Sequence, residues 1–178
     1  MRVSGRIVTP SGTVDGHVDV SGDRIRSVTA DATVDSTVWI VPGFVDIHVH
    51  GGGGHTFTTG DADSARAAAA FHLGHGTTTM LASLVSSPYE LMRKATEAFA
   101  PLVAAGVLAG IHFEGPYLSV VRCGAQNPAY LRDPGLDELS SLIELGNGAV
   151  RMMTLAPERS GALEAIKLLR AYDVVAAV

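Results

Sequence analysis

The stretch "FVDIHVHGGGGH", residues 44–55, joins a run of strand-forming residues to two histidines and then stops in four glycines. Side chains alternate between the two faces of a strand, so His48 and His50 share one face. Val45, Ile47 and Val49 take the opposite face, which is apolar enough to lie beneath covering helices. The glycines permit tight backbone turns at the end of the strand, where larger side chains would intrude.

The same strand opens a regular alternation of strands and helices. Apolar runs predict strands over residues 44–50, 77–85, 107–114, 150–156 and 174–178. Helices are predicted between them, over residues 62–74, 87–106, 136–148 and 162–172. This alternation indicates parallel pairing, which both an open doubly wound sheet and a TIM barrel satisfy. No G-x-G-x-x-G pattern follows the first strand, so a dinucleotide-binding fold is disfavoured.

Several local signals predict where these helices begin and end. Asp61 or Asp63 can cap the first helix. The run Ser87-Pro88-Tyr89-Glu90 has the form of a capping box with proline at the first helical position, which predicts a helix beginning at residue 88. Pro101 is expected to kink or end that second helix.

The first forty-one residues follow a different pattern. Short β-forming runs at residues 5–9, 17–20 and 24–30 predict strands, with a turn at 21–23 between the last two. Residues 1–41 are therefore predicted to form a small β-domain, and the strand–helix alternation occupies residues 42–178.

Composition narrows the classes of function. The chain has 178 residues, 47% of them hydrophobic and 17% charged, which predicts a folded domain rather than disorder. A net charge of −5 without a basic run argues against nucleic acid as a partner. A single cysteine, Cys123, excludes an internal disulfide and fits a reducing compartment. With no secretory signal and no membrane-spanning run, the sequence predicts a cytoplasmic protein without a membrane partner.

The histidine pair predicts a metal site. Imidazoles two residues apart on a strand have Cα atoms about 7 Å apart, close enough to converge on one ion. They lie at the carboxyl end of the strand, where βα-barrels place their chemistry. The alternative is that His48 and His50 are ordinary hydrogen-bonded residues at a strand end. His55, in the following loop, is expected to be solvated.

A carboxylate ends another predicted strand, in "GIHFEGP", residues 110–116. Glu114 and His112 share a face there, and a buried carboxylate must be paired, protonated or bound to a cation. A divalent ion such as Zn²⁺ accepts both imidazole nitrogen and carboxylate oxygen. The alternative for Glu114 is a salt bridge with an arginine such as Arg122. His112 is expected to be a hydrogen-bonding group rather than a ligand.

Five motifs occur in order along the chain: "VPGFVDIHVHGGGG", "GHGTTTMLASLVSS", "HFEGPYLS", "GAQNPAYLR" and "MTLAPE". Through nearly the whole chain they closely resemble the N-acetylglucosamine-6-phosphate deacetylase family, within the amidohydrolase superfamily. The first motif alone marks only the superfamily, and the later ones are more specific. The resemblance implies an α/β fold, a partial (β/α)8 TIM barrel of about five strands over residues 42–178. A small N-terminal β-sandwich segment, residues 1–41, precedes it.

The resemblance also implies roles for particular residues. Glu114 matches the family's metal-binding glutamate, and His48 and His50 match a pair that holds a second ion in some members. The expected cofactor is a divalent metal, Zn²⁺, as one or two ions. Ala125 and Gln126 fall in the loop that touches the sugar. The family pattern has histidine where this chain has Gln126, and glutamine can hydrogen-bond a sugar but cannot act as an acid or base.

The implied activity is metal-dependent hydrolysis of the acetamide of N-acetylglucosamine 6-phosphate, giving glucosamine 6-phosphate and acetate in amino-sugar catabolism and recycling. The implied partners are this sugar phosphate and a second subunit in a homodimer. The family's catalytic aspartate and two further metal-binding histidines would lie beyond residue 178, so the chain contains no predicted catalytic residue.

Because "AYDVVAAV" ends inside a predicted strand, a truncated chain that is inactive by itself is expected. Two alternatives stay open at this point. One is another amidohydrolase, of the hydantoinase or aminoacylase kind. The other is a non-catalytic half-barrel.

Overall fold

Three long strands and one short strand make up the first part of the computed structural model, which describes residues 1–178. Residues 1–43 and residues 44–178 form two separate compact units. The strands of the first unit are β1 (Arg2–Thr9), β2 (Gly12–Ser21), β3 (Arg24–Ala30) and β4 (Trp39–Ile40).

The first unit is one mixed sheet with the strand order β3-β2-β1-β4. The β1–β2 and β2–β3 pairs are antiparallel, and β4 runs parallel to β1. Opposite charges face each other directly across β1 and β2, as in Arg2–Asp19 at 2.8 Å, an arrangement that stabilises a strand pair. The predicted β-sandwich is therefore only a single layer here, because all four strands of residues 1–43 join one ladder.

The second unit contains the alternating part of the chain. Its elements are β5 (Phe44–Val49), β6 (Gly51–Gly52), β7 (His55–Thr56), α1 (Ala62–Leu73), β8 (Thr77–Leu84), α2 (Tyr89–Ala104), β9 (Gly110–Glu114), a 3₁₀ turn (Pro128–Tyr130), α3 (Leu136–Gly146), β10 (Val150–Thr154), α4 (Ala162–Ala171) and β11 (Val175–Ala177).

Five of these strands form a parallel sheet in the order β11-β10-β9-β8-β5, with helices in the connections. The sheet curls into a half-barrel, which confirms the predicted partial TIM barrel. Parallel strands joined through helices all point the same way, so their carboxyl ends meet along one edge of the sheet. That edge holds the candidate functional residues.

The helix starts are predicted correctly in one case and wrongly in another. Asp61 caps α1 by accepting a hydrogen bond from the backbone N–H of Ser64 at 2.7 Å. The capping box at α2 is wrong: the helix begins at Tyr89, and the Ser87 hydroxyl donates to the carbonyl of Val85 at 2.8 Å. Ser87 therefore closes a local turn instead of capping the helix.

Pro101 does not end α2, which continues to Ala104. A proline removes one helical N–H, but the carbonyl of Pro101 still accepts from the N–H of Ala105 at 3.0 Å. The helix then stops within one turn, and Gly106 follows with a φ of 72°. The strand that follows, β9, begins at Gly110 rather than at residue 107 and is therefore shorter than predicted.

The core of the second unit lies between the sheet and its helices. Its largest fully buried side chains are Tyr117, Phe57, Phe99, Phe113, Leu84, Met92, Leu102, Leu108, Ile111, Leu139, Leu142 and Met153. The expectation that this face lies beneath helices is wrong for Val45 and Ile47, which are 66% and 56% exposed, whereas Val49 is half-buried and packs against the core. β5 is an edge strand, and the helices of this unit pack on β8 to β11 instead.

The lengths and apolarity of the four helices bear on whether any of them could span a membrane. None of them is both long enough and apolar enough to cross a membrane.

Candidate metal centre

The candidate site forms where two strands of the half-barrel end. His48 is the penultimate residue of β5 and His50 follows the strand directly, while Glu114 is the last residue of β9. β8 lies between β5 and β9 and pairs with both. Residues more than sixty positions apart in the sequence are thereby brought to the same edge of the sheet.

The three side chains converge on one another. Nε2 of His48 lies 3.3 Å from Oε2 of Glu114, and Nε2 of His50 lies 3.1 Å from the same oxygen. The three donor atoms all lie within 4.8 Å of one another. The Glu114 side chain is 22% exposed, so its carboxylate is partly withdrawn from water while both imidazoles remain more accessible.

The position of the proton on the His50 ring indicates what can lie between His50 and Glu114. Its Nδ1 lies 3.0 Å from the backbone carbonyl oxygen of Ser83, which can only accept a hydrogen bond, so Nδ1 carries the proton. In a neutral His50, Nε2 then presents a lone pair toward a carboxylate oxygen that also carries lone pairs. Such a contact is stable only with a proton or a cation between the atoms. Two imidazole nitrogens and a carboxylate oxygen suit a divalent metal ion, so the residues fit this role.

The ion pairs of Glu114 involve the histidines, and Arg122 is not among its partners. The alternative of a salt bridge to Arg122 is therefore not what the structure shows. Asp46 lies in the middle of β5, and its carboxylate accepts from the backbone N–H of His48 at 3.1 Å.

His112 lies beside the cluster but is turned away from it. It is fully buried, with Nδ1 2.8 Å from the Ser83 hydroxyl and Nε2 2.9 Å from the Thr154 hydroxyl. Burial, followed by the neighbouring His48 imidazole, lowers the pKa of His112 to about 4, so the ring is neutral. Both ring nitrogens are engaged by hydroxyls, which matches the prediction of a hydrogen-bonding rather than a ligating histidine.

The four glycines shape the loop that follows the histidines. Gly51–Gly52 and His55–Thr56 pair as a two-stranded hairpin. Gly53, at its tip, has a φ of 61°, and a Cβ atom there would lie 2.7 Å from the Phe71 ring. Only glycine meets both the conformation and the close approach. His55 is exposed, as predicted for a solvated loop residue.

The loop predicted to touch the sugar is held against the end of β8. Oε1 of Gln126 accepts from the backbone N–H of Ser86 at 2.7 Å, and the Ser86 hydroxyl donates to the carbonyl of Glu114 at 3.4 Å. Gln126 is half-buried and Ala125 is exposed. The structure thus connects this loop to the strand end that carries Glu114.

A second contact network, which sequence reasoning missed, closes the base of the same loop. The backbone N–H of Arg132 donates to the carbonyl of Pro116 at 3.2 Å, and its guanidinium donates to Glu138 at 2.6 Å and to the carbonyl of Ser87 at 3.1 Å. The buried Tyr117 hydroxyl donates to the same carboxylate at 3.0 Å. Burial, together with Glu138, raises the pKa of Tyr117 well above its usual range, so this hydroxyl remains a donor.

Replacing Arg132 by alanine is expected to lower the free energy of unfolding by about 2 kcal/mol, because it leaves a half-buried carboxylate and a backbone carbonyl without their charged donor. Arg93→Ala is the matched control, since Arg93 pairs with Glu90 and Glu97 on the exposed face of α2 and its loss should lower the free energy of unfolding much less. Urea unfolding followed by circular dichroism measures both. Equal losses for the two variants would contradict a structural role for Arg132.

The chain is similar to known proteins in both sequence and structure. The model of the amidohydrolase family matches residues 39–177. An N-acetylgalactosamine-6-phosphate deacetylase from Shewanella sp. (strain ANA-3) is 38% identical over 187 residues, which cover 96% of this chain and 47% of that protein.

Solved structures of deacetylases are also similar to this chain. The crystal structure of N-acetyl-D-glucosamine-6-phosphate deacetylase from Mycobacterium smegmatis has a TM-score of 0.90 and 40% identity, covering 99% of this chain and 49% of that one. A mutant of the same enzyme in complex with N-acetyl-D-glucosamine-6-phosphate has a TM-score of 0.89 and 40% identity, covering 99% and 48%. The chain spans about half the length of the relatives that it matches.

Proposed function

Since the chain belongs to the amidohydrolase family, we propose that it forms the first half of a metal-dependent hexosamine-6-phosphate deacetylase. The reaction is hydrolysis of the acetamide of N-acetylglucosamine 6-phosphate to acetate and glucosamine 6-phosphate. One observation carries the proposal: the donor atoms of His48, His50 and Glu114 lie within 4.8 Å of one another at the carboxyl edge of the half-barrel. The similarity to deacetylases of acetylated hexosamine phosphates supports the substrate class.

In this proposal the three ligands hold one or two divalent ions, with Zn²⁺ as the metal best suited to a nitrogen and oxygen donor set. A divalent ion supplies Lewis-acid polarisation of the amide carbonyl and of water. Glu114 contributes the negative charge that draws the ion to the strand end. The Nδ1–H bond of His50 to the Ser83 carbonyl keeps the Nε2 lone pair directed toward the ion.

Ala125 and Gln126 are proposed as substrate contacts. The Gln126 carbonyl oxygen accepts from the Ser86 N–H, and the NH2 group of the side chain is free to donate to a ligand. This group would donate to an oxygen of the sugar. It carries no titratable proton, so the proton transfers of hydrolysis would fall to a group outside this chain, and the aspartate expected beyond residue 178 is the proposed general base.

The partners proposed for the whole protein are the sugar phosphate and a second copy in a homodimer. Because the chain spans about half the length of its relatives, we expect it to bind metal but to release no acetate by itself.

The test of the proposed function is an acetate-release assay on the protein at the full length of its relatives, with zinc content measured in the same sample. N-acetylglucosamine 6-phosphate should be cleaved with the highest kcat/KM. N-acetylgalactosamine 6-phosphate is the first comparison, because relatives of this chain include deacetylases named for either sugar. Faster cleavage of a hydantoin or an N-acetyl amino acid would overturn the proposal in favour of another amidohydrolase.

Gln126→Ala in that full-length protein is expected to raise KM for the sugar phosphate about tenfold, which corresponds to the loss of one hydrogen bond of about 1.4 kcal/mol. Gln126→Glu separates two roles, since it keeps an oxygen for the Ser86 N–H and replaces the NH2 donor by a carboxylate oxygen that cannot donate. It should therefore preserve the melting temperature and still raise KM. An unaltered KM in both variants would remove this loop from the substrate pocket.

A further inference from the structure

Ser83 lies between the two strands that carry the candidate ligands. It is a residue of β8, which pairs with β5 on one side and with β9 on the other, and it is opposite His112 in the register. Its side chain is fully buried. A buried hydroxyl must find hydrogen-bond partners within the protein, and those of Ser83 all belong to the surroundings of the metal centre.

The atoms of Ser83 contact three successive features of that centre. Its backbone oxygen accepts from Nδ1 of His50 at 3.0 Å. Its hydroxyl oxygen accepts from the backbone N–H of Val49 at 3.1 Å and lies 2.8 Å from Nδ1 of His112. Ser83 therefore contacts the ligand His50, the backbone of Val49 between the two ligands, and the buried imidazole of His112.

The bond to Val49 replaces a missing part of the strand ladder. The register of β5 against β8 shifts between Asp46 and Val49, so the regular hydrogen bonding is interrupted where the histidines lie. The Ser83 hydroxyl supplies an acceptor at this irregular position. Because Val49 separates His48 from His50, holding its N–H fixes the backbone from which both imidazoles project.

The position of the protons follows from the same contacts. The Ser83 hydroxyl oxygen accepts from Val49 and has one proton of its own to donate, for which Nδ1 of His112 is the acceptor in reach. His112 must then carry its proton on Nε2, where it donates to the Thr154 hydroxyl at 2.9 Å. The lone pair on Nδ1 of His112 accepts the Ser83 hydroxyl proton and is therefore not available to a metal ion. This keeps His112 out of the ligand set, although its ring centroid lies 4.8 Å from that of His48.

We propose that Ser83 is a positioning residue that selects the ligands of the metal centre, presenting Nε2 of His50 through its carbonyl and withholding His112 through its hydroxyl. This inference rests on the metal site of the proposed function, since its effect on affinity needs a bound ion. The arrangement of protons that it predicts does not depend on the ion.

Two measurements on the same samples test the inference. Long-range ¹H–¹⁵N NMR of histidine-labelled protein should assign His50 to the Nδ1–H tautomer and His112 to the Nε2–H tautomer. Ser83→Ala should shift His112 toward the Nδ1–H form, because its acceptor nitrogen loses the hydroxyl donor. Competition with a chromophoric chelator should show zinc binding about 10-fold weaker in this variant, because the Val49 N–H between the two ligands loses its acceptor, while the Ser83 carbonyl that holds His50 is retained.

Ser83→Thr keeps the hydroxyl and should show the wild-type His112 tautomer and the wild-type zinc affinity. This variant keeps the test valid if Ser83→Ala fails to fold. Thr96→Val is the matched control, because it deletes a buried hydroxyl from α2 that bonds the carbonyl of Met92 at 2.8 Å. It should change neither readout.

The inference is overturned if wild-type His112 carries its proton on Nδ1, or if Ser83→Ala leaves tautomer and affinity unchanged. Absence of zinc binding in the wild type would instead refute the proposed metal site, while the NMR result would still decide the role of Ser83.

Discussion

Replacing Glu114 by glutamine is expected to remove both metal binding and deacetylase activity. The substitution preserves the size of the side chain but removes the negative charge that faces the two imidazoles at 3.1 and 3.3 Å. Glutamine offers one neutral carbonyl oxygen, a much weaker ligand for a divalent ion. We expect zinc affinity to fall at least about 100-fold, and kcat/KM of the full-length protein at least about 1000-fold, which corresponds to about 4 kcal/mol of transition-state stabilisation.

Elemental analysis after gel filtration measures the metal, and acetate release measures the activity. Glu144→Gln is the matched control, because Glu144 is an exposed carboxylate on α3 whose partner is the Tyr172 hydroxyl. It should retain full metal content. Retained zinc in Glu114→Gln would show that the carboxylate is not a ligand and would remove the basis of the proposed mechanism.

The double variant His48→Asn, His50→Asn is expected to lower the number of zinc ions bound per chain. Asparagine is shorter than histidine and cannot place a neutral nitrogen lone pair at the position of Nε2. Glu114 alone would remain, and a single carboxylate does not hold Zn²⁺ tightly. If the pair holds an ion of its own, the stoichiometry falls by one; if all three residues share one ion, metal is lost altogether, as in Glu114→Gln.

The histidine variants need a control that changes histidines elsewhere. His55 and His75 are both exposed and stand outside the cluster of donor atoms, so His55→Asn, His75→Asn should leave the stoichiometry unchanged. An unchanged stoichiometry in the His48 and His50 variant would show that the pair does not ligate metal. The half-barrel would then need another explanation for two imidazoles facing one carboxylate.

Local patterns explain why much of the fold was predictable. The apolar runs that predicted the strands and the alanine-rich run of α1 with Asp61 as its cap depend on interactions within a few residues. The capping box at Ser87 has the same local form, yet it was wrong. The Ser87 carbonyl is engaged by Arg132, forty-five residues away, and the Ser87 hydroxyl serves a turn. A competing local turn, in which the Ser87 hydroxyl bonds the Val85 carbonyl, thus takes the place of the cap.

The candidate ligands could be named from the sequence, whereas their supporting residues could not. An H-x-H pattern at a strand end and a glutamate before Gly115-Pro116 are visible as residue types in a recognisable position. Ser83 and Arg132 carry no such signal, because a serine in a strand and an arginine in a loop are common and indicate no particular role. Their roles depend on which strand lies beside which, and that is a property of the sheet order.

Three features of this protein are therefore readable from its residues alone: the alternation of strands and helices, the face on which His48 and His50 lie, and the carboxylate that could join them. These follow from the two-residue period of a strand and from short-range helix signals. Three other features required the folded chain: Glu114 lies within 3.3 Å of both imidazoles, Ser83 holds His112 apart, and Val45 and Ile47 are exposed on an edge strand. These features depend on the parallel pairing of β5, β8 and β9, because that pairing sets the distances between residues that are remote along the chain.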